Sequence, residues 1–208
     1  MFLILDFTQS LRLAIIHNSK IVSKVVKTKK NISEILIFEI DKFLEKTKSD
    51  INSIKSICVV TGPGSFTGIR TALTFSKSLN LIKKIDIFGV SKFEIINYKI
   101  KTKKFNKKKC ILLHFKNNQF FMQTFEGNKA LDEVKLVNLA NKEFRYNKET
   151  TYIYDSILFE AMLGNYMNDK TKNDFYLVDY SLIELEQIIL NKSIDNLDPK
   201  PLYISNYY

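Results

Sequence analysis

The sequence predicts an α/β protein in which a mixed β-sheet is flanked by helices. Three observations carry this. Over the first 98 residues, apolar runs of strand length and amphipathic stretches of helix length follow one another in the order β-β-β-α-β-α-β. The first three runs are separated only by short polar breaks, which joins them as an antiparallel meander. A glycine-rich turn, Gly62–Gly68, links a wholly apolar run to an amphipathic one, the punctuation of a strand turning into a helix.

Taken in order, Phe2–Phe7 forms the first strand, and Leu11–His17 and Ile21–Val26, rich in Ile, Val and Leu, form the next two. Their turns fall at Thr8–Ser10 and Asn18-Ser19. Asn31 stands three residues before Glu34, a capping pair for a helix over Ile32–Lys46, whose apolar residues recur at helical spacing. Ser56–Thr61 is a fourth strand. Beyond the glycine turn, Ile69–Lys83 reads as a helix, Asp86–Val90 as a strand, and Ser91 as the cap of a short helix through Tyr98.

The Lys99–Lys109 stretch, with seven lysines in eleven residues, marks a boundary and reads as a solvated linker. A second, smaller unit begins at Cys110, with a hairpin of Cys110–Lys116 and Gln119–Glu126 around Asn117-Asn118. Further strands are expected near Val134–Val137 and at Thr151–Tyr154, and helices at Ser156–Met167 and Ser181–Asn191. In the tail, Pro199 and Pro201 exclude a helix interior. The expected divisions are 1–98, 99–197 and a closing segment 198–208, with no internal repeat in the sequence.

A chain of 208 residues buries roughly 70% of its unfolded surface and needs no disulfide or metal staple. Hydrophobic residues at 45% and charged residues at 26% exclude a disordered tail, a collagen and a membrane channel. No run approaches the ~18 apolar residues of a membrane helix. Phe2-Leu-Ile-Leu5 is stopped by Asp6, too short for a signal-peptide apolar region. Cys58 and Cys110, the only cysteines, lie in apolar runs, as buried reduced thiols of a cytoplasmic protein do. Thirty-two basic against 22 acidic residues give a net charge of +10, compatible with an RNA-facing surface. Yet only Arg12, Arg70 and Arg145 are arginines in a chain crowded with Lys, Asn, Ile, Phe and Tyr. That joint bias matches compositional drift in an AT-rich genome, so charge alone assigns no partner.

Several chemistries are excluded by what is missing. His17 and His114 lie in predicted strands, with no Cys, Asp or His at metal-ligand spacing. In Gly64-Ser-Phe-Thr-Gly68 the serine directly follows the first glycine, so there is no nucleophile elbow, and no Gly-Lys-Ser/Thr forms a Walker cradle. Cys58 has no base nearby in sequence. The Gly62, Pro63, Gly64, Ser65, Phe66, Thr67, Gly68 loop has two readings, both open. Ser65 or Thr67 caps a helix whose free N–H groups hold an anion, or the glycines permit close packing of a rigid turn.

The string Val59-Val-Thr-Gly-Pro-Gly-Ser-Phe-Thr-Gly-Ile-Arg-Thr-Ala-Leu-Thr-Phe-Ser-Lys-Ser-Leu79 closely resembles the signature of the TsaB (YeaZ) family. Ile4-Leu-Asp6 stands where that family has its first strand and aspartate, Phe88-Gly-Val-Ser91 resembles its next strand and turn, and Pro201-Leu-Tyr203 its closing segment. The resemblance implies a fold of the actin/Hsp70/sugar-kinase type, with two lobes related by a repeated β-β-β-α-β-α core. It implies a partner subunit in making N6-threonylcarbamoyladenosine beside the anticodon of ANN-decoding tRNAs. Such a chain binds and activates a TsaD-like transferase through helices of the first lobe. A TsaE-like ATPase joins that pair, tRNA is met only through the complex, and the isolated chain can pair with itself. No membrane and no cofactor is implied.

Departures from the family pattern bear on catalysis. Asp6 is followed by Phe7-Thr8-Gln9-Ser10-Leu11-Arg12, where relatives more often have Thr-Ser-Thr, so any nucleotide site near Asp6 and Thr8 is degenerate. Asn31-Ile32-Ser33 replaces a histidine-serine pair, His114-Phe-Lys116 stands for an Asp-Ala-Arg stretch, and Ser205 for an arginine. The alternatives are a small-molecule kinase or ATPase using Asp6, a peptidase without a visible nucleophile, and a direct tRNA binder using the 99–109 lysines.

The two first-lobe helices are more apolar than one buried face requires. In Ile32–Lys46 the apolar residues span an arc of roughly 200°, and in Ile69–Lys83 about half the circumference. The expected partner surface is Ile37, Ile40, Leu44, Phe75 and Leu79, with Ile37 and Leu44 on the outward edge.

Overall fold

The computed structural model describes residues 1–17, 20–27, 30–101, 103, 105, 108–138, 144–155, 174–179, 182, 185, 187–188 and 198–202. These form two compact units: Met1–Lys92 with the described residues of Leu182–Leu202, and the described residues of Phe93–Ser181.

The first unit is built on a five-stranded sheet, β1 (Phe2–Asp6), β2 (Leu11–His17), β3 (Lys20–Val26), β4 (Ser56–Val60) and β5 (Asp86–Val90), in the order β3-β2-β1-β4-β5. The meander β1-β2-β3 is antiparallel, whereas β1, β4 and β5 run parallel. Helix α1 (Ile32–Lys46) follows β3, and α2 (Phe66–Lys83) lies between β4 and β5. All five residues of β4 are buried, as a central parallel strand covered on both faces requires. Alternate strand residues Leu3, Leu5, Leu13, Ile57, Val59 and Ile87 pack in one core with Leu36, Ile40, Phe43 and Leu44 of α1 and Ile69, Ala72 and Leu73 of α2. The strand period of two meets the helix period of 3.6 there.

Asn31 and Glu34 do pair, Nδ2 donating to Oε1 at 2.9 Å, but the Asn31 side chain makes no bond to the helix backbone. Helix α2 begins at Phe66, three residues before the periodicity predicts, because Ser65 Oγ accepts from the Gly68 N–H at 3.1 Å.

The second unit holds α3 (Lys92–Lys99) and a sheet of β6 (Lys108–Lys116), β7 (Gln119–Glu126), β8 (Lys129–Ala130), β9 (Lys135–Asn138), β10 (Thr150–Tyr154) and β11 (Phe175–Leu177). Its order is β11-β10-β6-β7-β8, with β9 also on β7. A hairpin, β6-β7, carries two parallel strands, β10 and β11, on its other side. This is the plan of β1-β2 with β4 and β5. A structural repeat thus exists where the sequence shows none. Its core is aromatic, with Tyr152 stacked on Phe175 at 4.9 Å and edge-on to Phe144 at 5.3 Å.

Lys109 corrects the reading of 99–109 as solvated throughout. It lies in β6, 7% exposed, with Nζ donating to Asn97 Oδ1 at 2.7 Å and to the Gly127 carbonyl at 3.0 Å. Burial without a counter-charge pushes its pKa down. The expected turn at Asn18-Ser19 and the helix at Ser156–Met167 lie outside the described residues, as does most of Ser181–Asn191.

Candidate functional site

Asp6 ends β1 and is wholly buried. The hairpin register places Arg12 directly across from it. One carboxylate oxygen accepts from the Thr8 N–H at 3.0 Å and the Thr8 hydroxyl at 2.6 Å; the other is 2.7 Å from the Arg12 guanidinium. Both oxygens are therefore engaged inside the protein. A metal ion or activated water reaching Asp6 would first have to displace the Arg12 guanidinium. Phe7 and Leu11, on either side of the turn, are fully buried in the core.

The glycine loop closes over this turn. The Ser65 N–H donates to the Thr8 carbonyl at 2.7 Å. A Cβ on Gly64 would stand 2.6 Å from the Thr8 Cβ, and one on Gly68 would collide with the Phe7 carbonyl oxygen. Two carbonyls at the start of the loop are also engaged: that of Gly62 accepts from the Lys92 N–H at 2.8 Å, and that of Thr61 from the Leu202 N–H at 2.9 Å. The glycines thus serve close packing of the loop on the first hairpin, and Thr67 lies inside α2 rather than at its cap. Pro199 meets Gly89, and Lys77 pairs with Asp198 at 2.7 Å, so the tail returns to this unit.

The outward side of α1 and α2 is a second feature. Ile37 is 65% exposed and Phe38 57% exposed. They border a groove of about 930 Å³ with Ile40, Leu44, Ile51, Phe75 and Leu79. A smaller hollow, lined by Phe66, Arg70 and the hydroxyls of Thr67, Thr71, Thr74 and Ser78, continues it past Ile37 and Phe75. Of the residues expected on the partner surface, all five line the groove, but Ile40 and Leu44 are 2% and 5% exposed and belong to the core floor. Leu44 is corrected as an outward residue; Phe38, one residue on from Ile37, holds that edge instead. Helical spacing alone places 37, 40, 44 and 38 on overlapping arcs and cannot say which the sheet covers.

In the second unit the His114 backbone N–H donates to Asp155 at 2.8 Å, and its ring contacts the Asn117 carbonyl at 3.2 Å. His17 is exposed at the end of β2. Among the described residues there is no group of three or more His, Cys, Asp or Glu placed to hold a metal, and no helix is long and apolar enough to cross a membrane. Cys58 and Cys110 are buried and not joined in a disulfide. Sequence reasoning missed Arg12 as the counter-ion of Asp6, although pairing the two apolar runs around a short turn would have set them opposite.

Comparison with known proteins gives a consistent picture. The sequence model of the family described as "TsaD: tRNA N6-adenosine threonylcarbamoyltransferase" matches residues 20–135. The chain is 31% identical over 116 residues to the tRNA threonylcarbamoyladenosine biosynthesis protein TsaB of Buchnera aphidicola subsp. Acyrthosiphon pisum, covering 56% of this chain and 52% of that protein. It is 32% identical over 92 residues to the TsaB of Buchnera aphidicola subsp. Schizaphis graminum, covering 44% of each. The chain thus spans about half the length of the curated relatives it matches. In structure it resembles YeaZ from Pseudomonas aeruginosa, with a TM-score of 0.66 at 12% identity over 98% of this chain and 99% of that one. The fold is a two-sheet, helix-flanked α/β fold, that of YeaZ.

Proposed function

We propose, on the premise that this chain belongs to the family described as "TsaD: tRNA N6-adenosine threonylcarbamoyltransferase", that it is of the TsaB (YeaZ) kind, a non-catalytic accessory subunit in N6-threonylcarbamoyladenosine biosynthesis. It binds and activates a TsaD-like transferase in the cytoplasm, and a TsaE-like ATPase joins the pair. The two relatives named TsaB support the pathway, and the TsaD family match supports kinship with the partner.

The observation that carries the reading is the exposed pair Ile37 and Phe38 beside the apolar groove of α1 and α2. Large apolar side chains at that exposure, rimming a groove, mark a surface that another protein covers. The Asp6–Arg12 pair argues in the same direction, since it leaves this chain no free carboxylate at the place where actin-like enzymes handle a nucleotide. A kinase or ATPase therefore finds no support in the first hairpin.

The test is depletion in the native cell, with the modified nucleoside measured in total tRNA and a tagged copy used to recover partners. The reading expects loss of the modification, its rescue by the tagged copy, and recovery of a TsaD-like protein. Unchanged modification after depletion, or ATP hydrolysis by the pure chain that Asp6→Asn abolishes, would overturn it.

A further inference from the structure

Gly89 lies inside β5 and, unlike Gly62 and Gly64, has no positive φ, so its backbone would suit any residue. A glycine inside a strand weakens it and marks a place where another part of the chain comes close. What comes close is the segment 198–202. A Cβ on Gly89 would stand 2.7 Å from the Pro199 Cβ and 2.6 Å from the Thr61 Cγ2. The same segment meets the start of the glycine loop: the Leu202 N–H donates to the Thr61 carbonyl, and a Cβ on Gly62 would lie 3.6 Å from the Leu202 Cβ. Thr61 is thus held from both sides, since its own N–H donates to the Val90 carbonyl at 2.9 Å. The Lys77–Asp198 pair ties the segment to α2.

These contacts lie across the carboxyl ends of β4 and β5, which run parallel. In an open sheet of parallel strands such ends border the crevice where ligands bind. Here the chain's own residues 198–202 take that place. Among the described contacts, they are held by one backbone hydrogen bond, one solvent-exposed ion pair and the buried Pro199. An exposed pair contributes little, and a segment with few buried contacts opens long before the fold as a whole. Pro199 and Pro201 fix two φ angles in the segment, which lowers the entropy lost when it docks. We propose that residues 198–202 are a releasable strap. Docked, they hold Thr61, and with it the glycine loop, against the first hairpin. Released, they open the ends of β4 and β5 while the sheet stays folded. The strap lies within the first unit and does not depend on the accessory reading.

The test is amide hydrogen exchange of the full chain, resolved to single residues. In the parent, the Leu202 N–H exchanges more slowly than in a free peptide of the same sequence but faster than the amides that pair β1 with β2. Thr61→Ser removes the methyl that an alanine at 89 would strike, so Thr61→Ser with Gly89→Ala drives its new Cβ against Pro199. In that double variant Leu202 reaches the free-peptide rate. The Ser65 and Lys92 N–H groups, bonded to the Thr8 and Gly62 carbonyls, exchange about tenfold faster than in the parent. The β1–β2 amides keep the parent's rates, as does Thr61→Ser alone. Leu202→Pro, which removes the N–H given to Thr61, has the same effect on Ser65 and Lys92, and it decides alone should the double variant unfold. If the segment is released while Ser65 and Lys92 keep the parent's rates, it packs without holding the loop and the proposal is wrong. If Leu202 of the parent already exchanges like the free peptide, nothing is strapped. If Leu202→Pro also strips protection from β1 and β2, the segment belongs to the core and is not releasable.

Discussion

Arg12 lies 2.7 Å from the carboxylate of Asp6, directly across the first hairpin, a partly buried cation facing a wholly buried cross-strand neighbour. This corner is thus closed by an internal cation. Removing one member strands a buried charge, which costs far more than the pair contributes. Arg12→Met should destabilise the fold by about 3–5 kcal/mol in urea unfolding. Asp6→Asn combined with Arg12→Met should be less destabilised than the sum of the two single changes, by roughly 0.5–3 kcal/mol. Additive losses would mean the two groups are not coupled.

Gly64 and Gly68 are tightly enclosed by the backbone of Thr8 and Phe7. Alanine at either should cost about 1–3 kcal/mol through overpacking, since backbone cannot move aside as a flexible side chain can. Gly127→Ala is the contrast. It has a φ of +58° and open space around its Cβ, so only the backbone penalty of about 1 kcal/mol applies. Thermal melting of the three variants should rank them accordingly.

Ile37→Asp and Leu44→Glu should separate cleanly although both residues line one groove. Ile37 is largely exposed, so its change should leave melting near the parent's and remove partner binding. Leu44 is buried, and a charge there loses the roughly 1.5–3 kcal/mol of side-chain burial and adds a desolvation cost. It should unfold or strongly destabilise the chain. Equal melting temperatures would place Leu44 outside the core.

Burial pushes the Cys110 thiol from its ordinary 9.0 up to about 12, and the Tyr152 phenol from 10.0 up to about 12. Groups raised in the folded state bind protons that the unfolded chain releases. The stability they contribute is complete below pH 9 and is lost as pH rises toward 12. Lys109, whose pKa is lowered by burial, acts in the opposite sense as pH climbs toward its ordinary 10.5. Unfolding free energy measured between pH 8 and 12 should fall overall, and Tyr152→Phe should make the fall shallower. A thiol reagent at pH 8 should leave native Cys110 unmodified.

Most elements of the first unit were legible because their signals are local. Leu11–His17, Ile32–Lys46 and Asp86–Val90 carry unbroken strand or helix periods, and the structure has them with those bounds. Family membership was legible in the long string around Gly62–Gly68, where few substitutions satisfy both a tight turn and a close backbone approach. The repeat of the two sheets is implied by the family resemblance alone, because strand order follows from pairing between distant segments and leaves no period in the sequence. Lys109 was misread for a related reason: a lysine in a basic run looks solvated until Asn97 and Gly127 are brought around it.

By itself, then, the sequence determined the strands, helices, glycine turn and family, since each rests on contacts within a short window or on a contiguous motif. Tertiary structure alone decided that Arg12 neutralises Asp6, that Leu44 lies in the floor and Phe38 on the rim, and that Gly89 makes room for Pro199. Burial and charge pairing belong to surfaces assembled from separate segments, and a helical arc of about 200° names the candidates without saying which edge the sheet will cover.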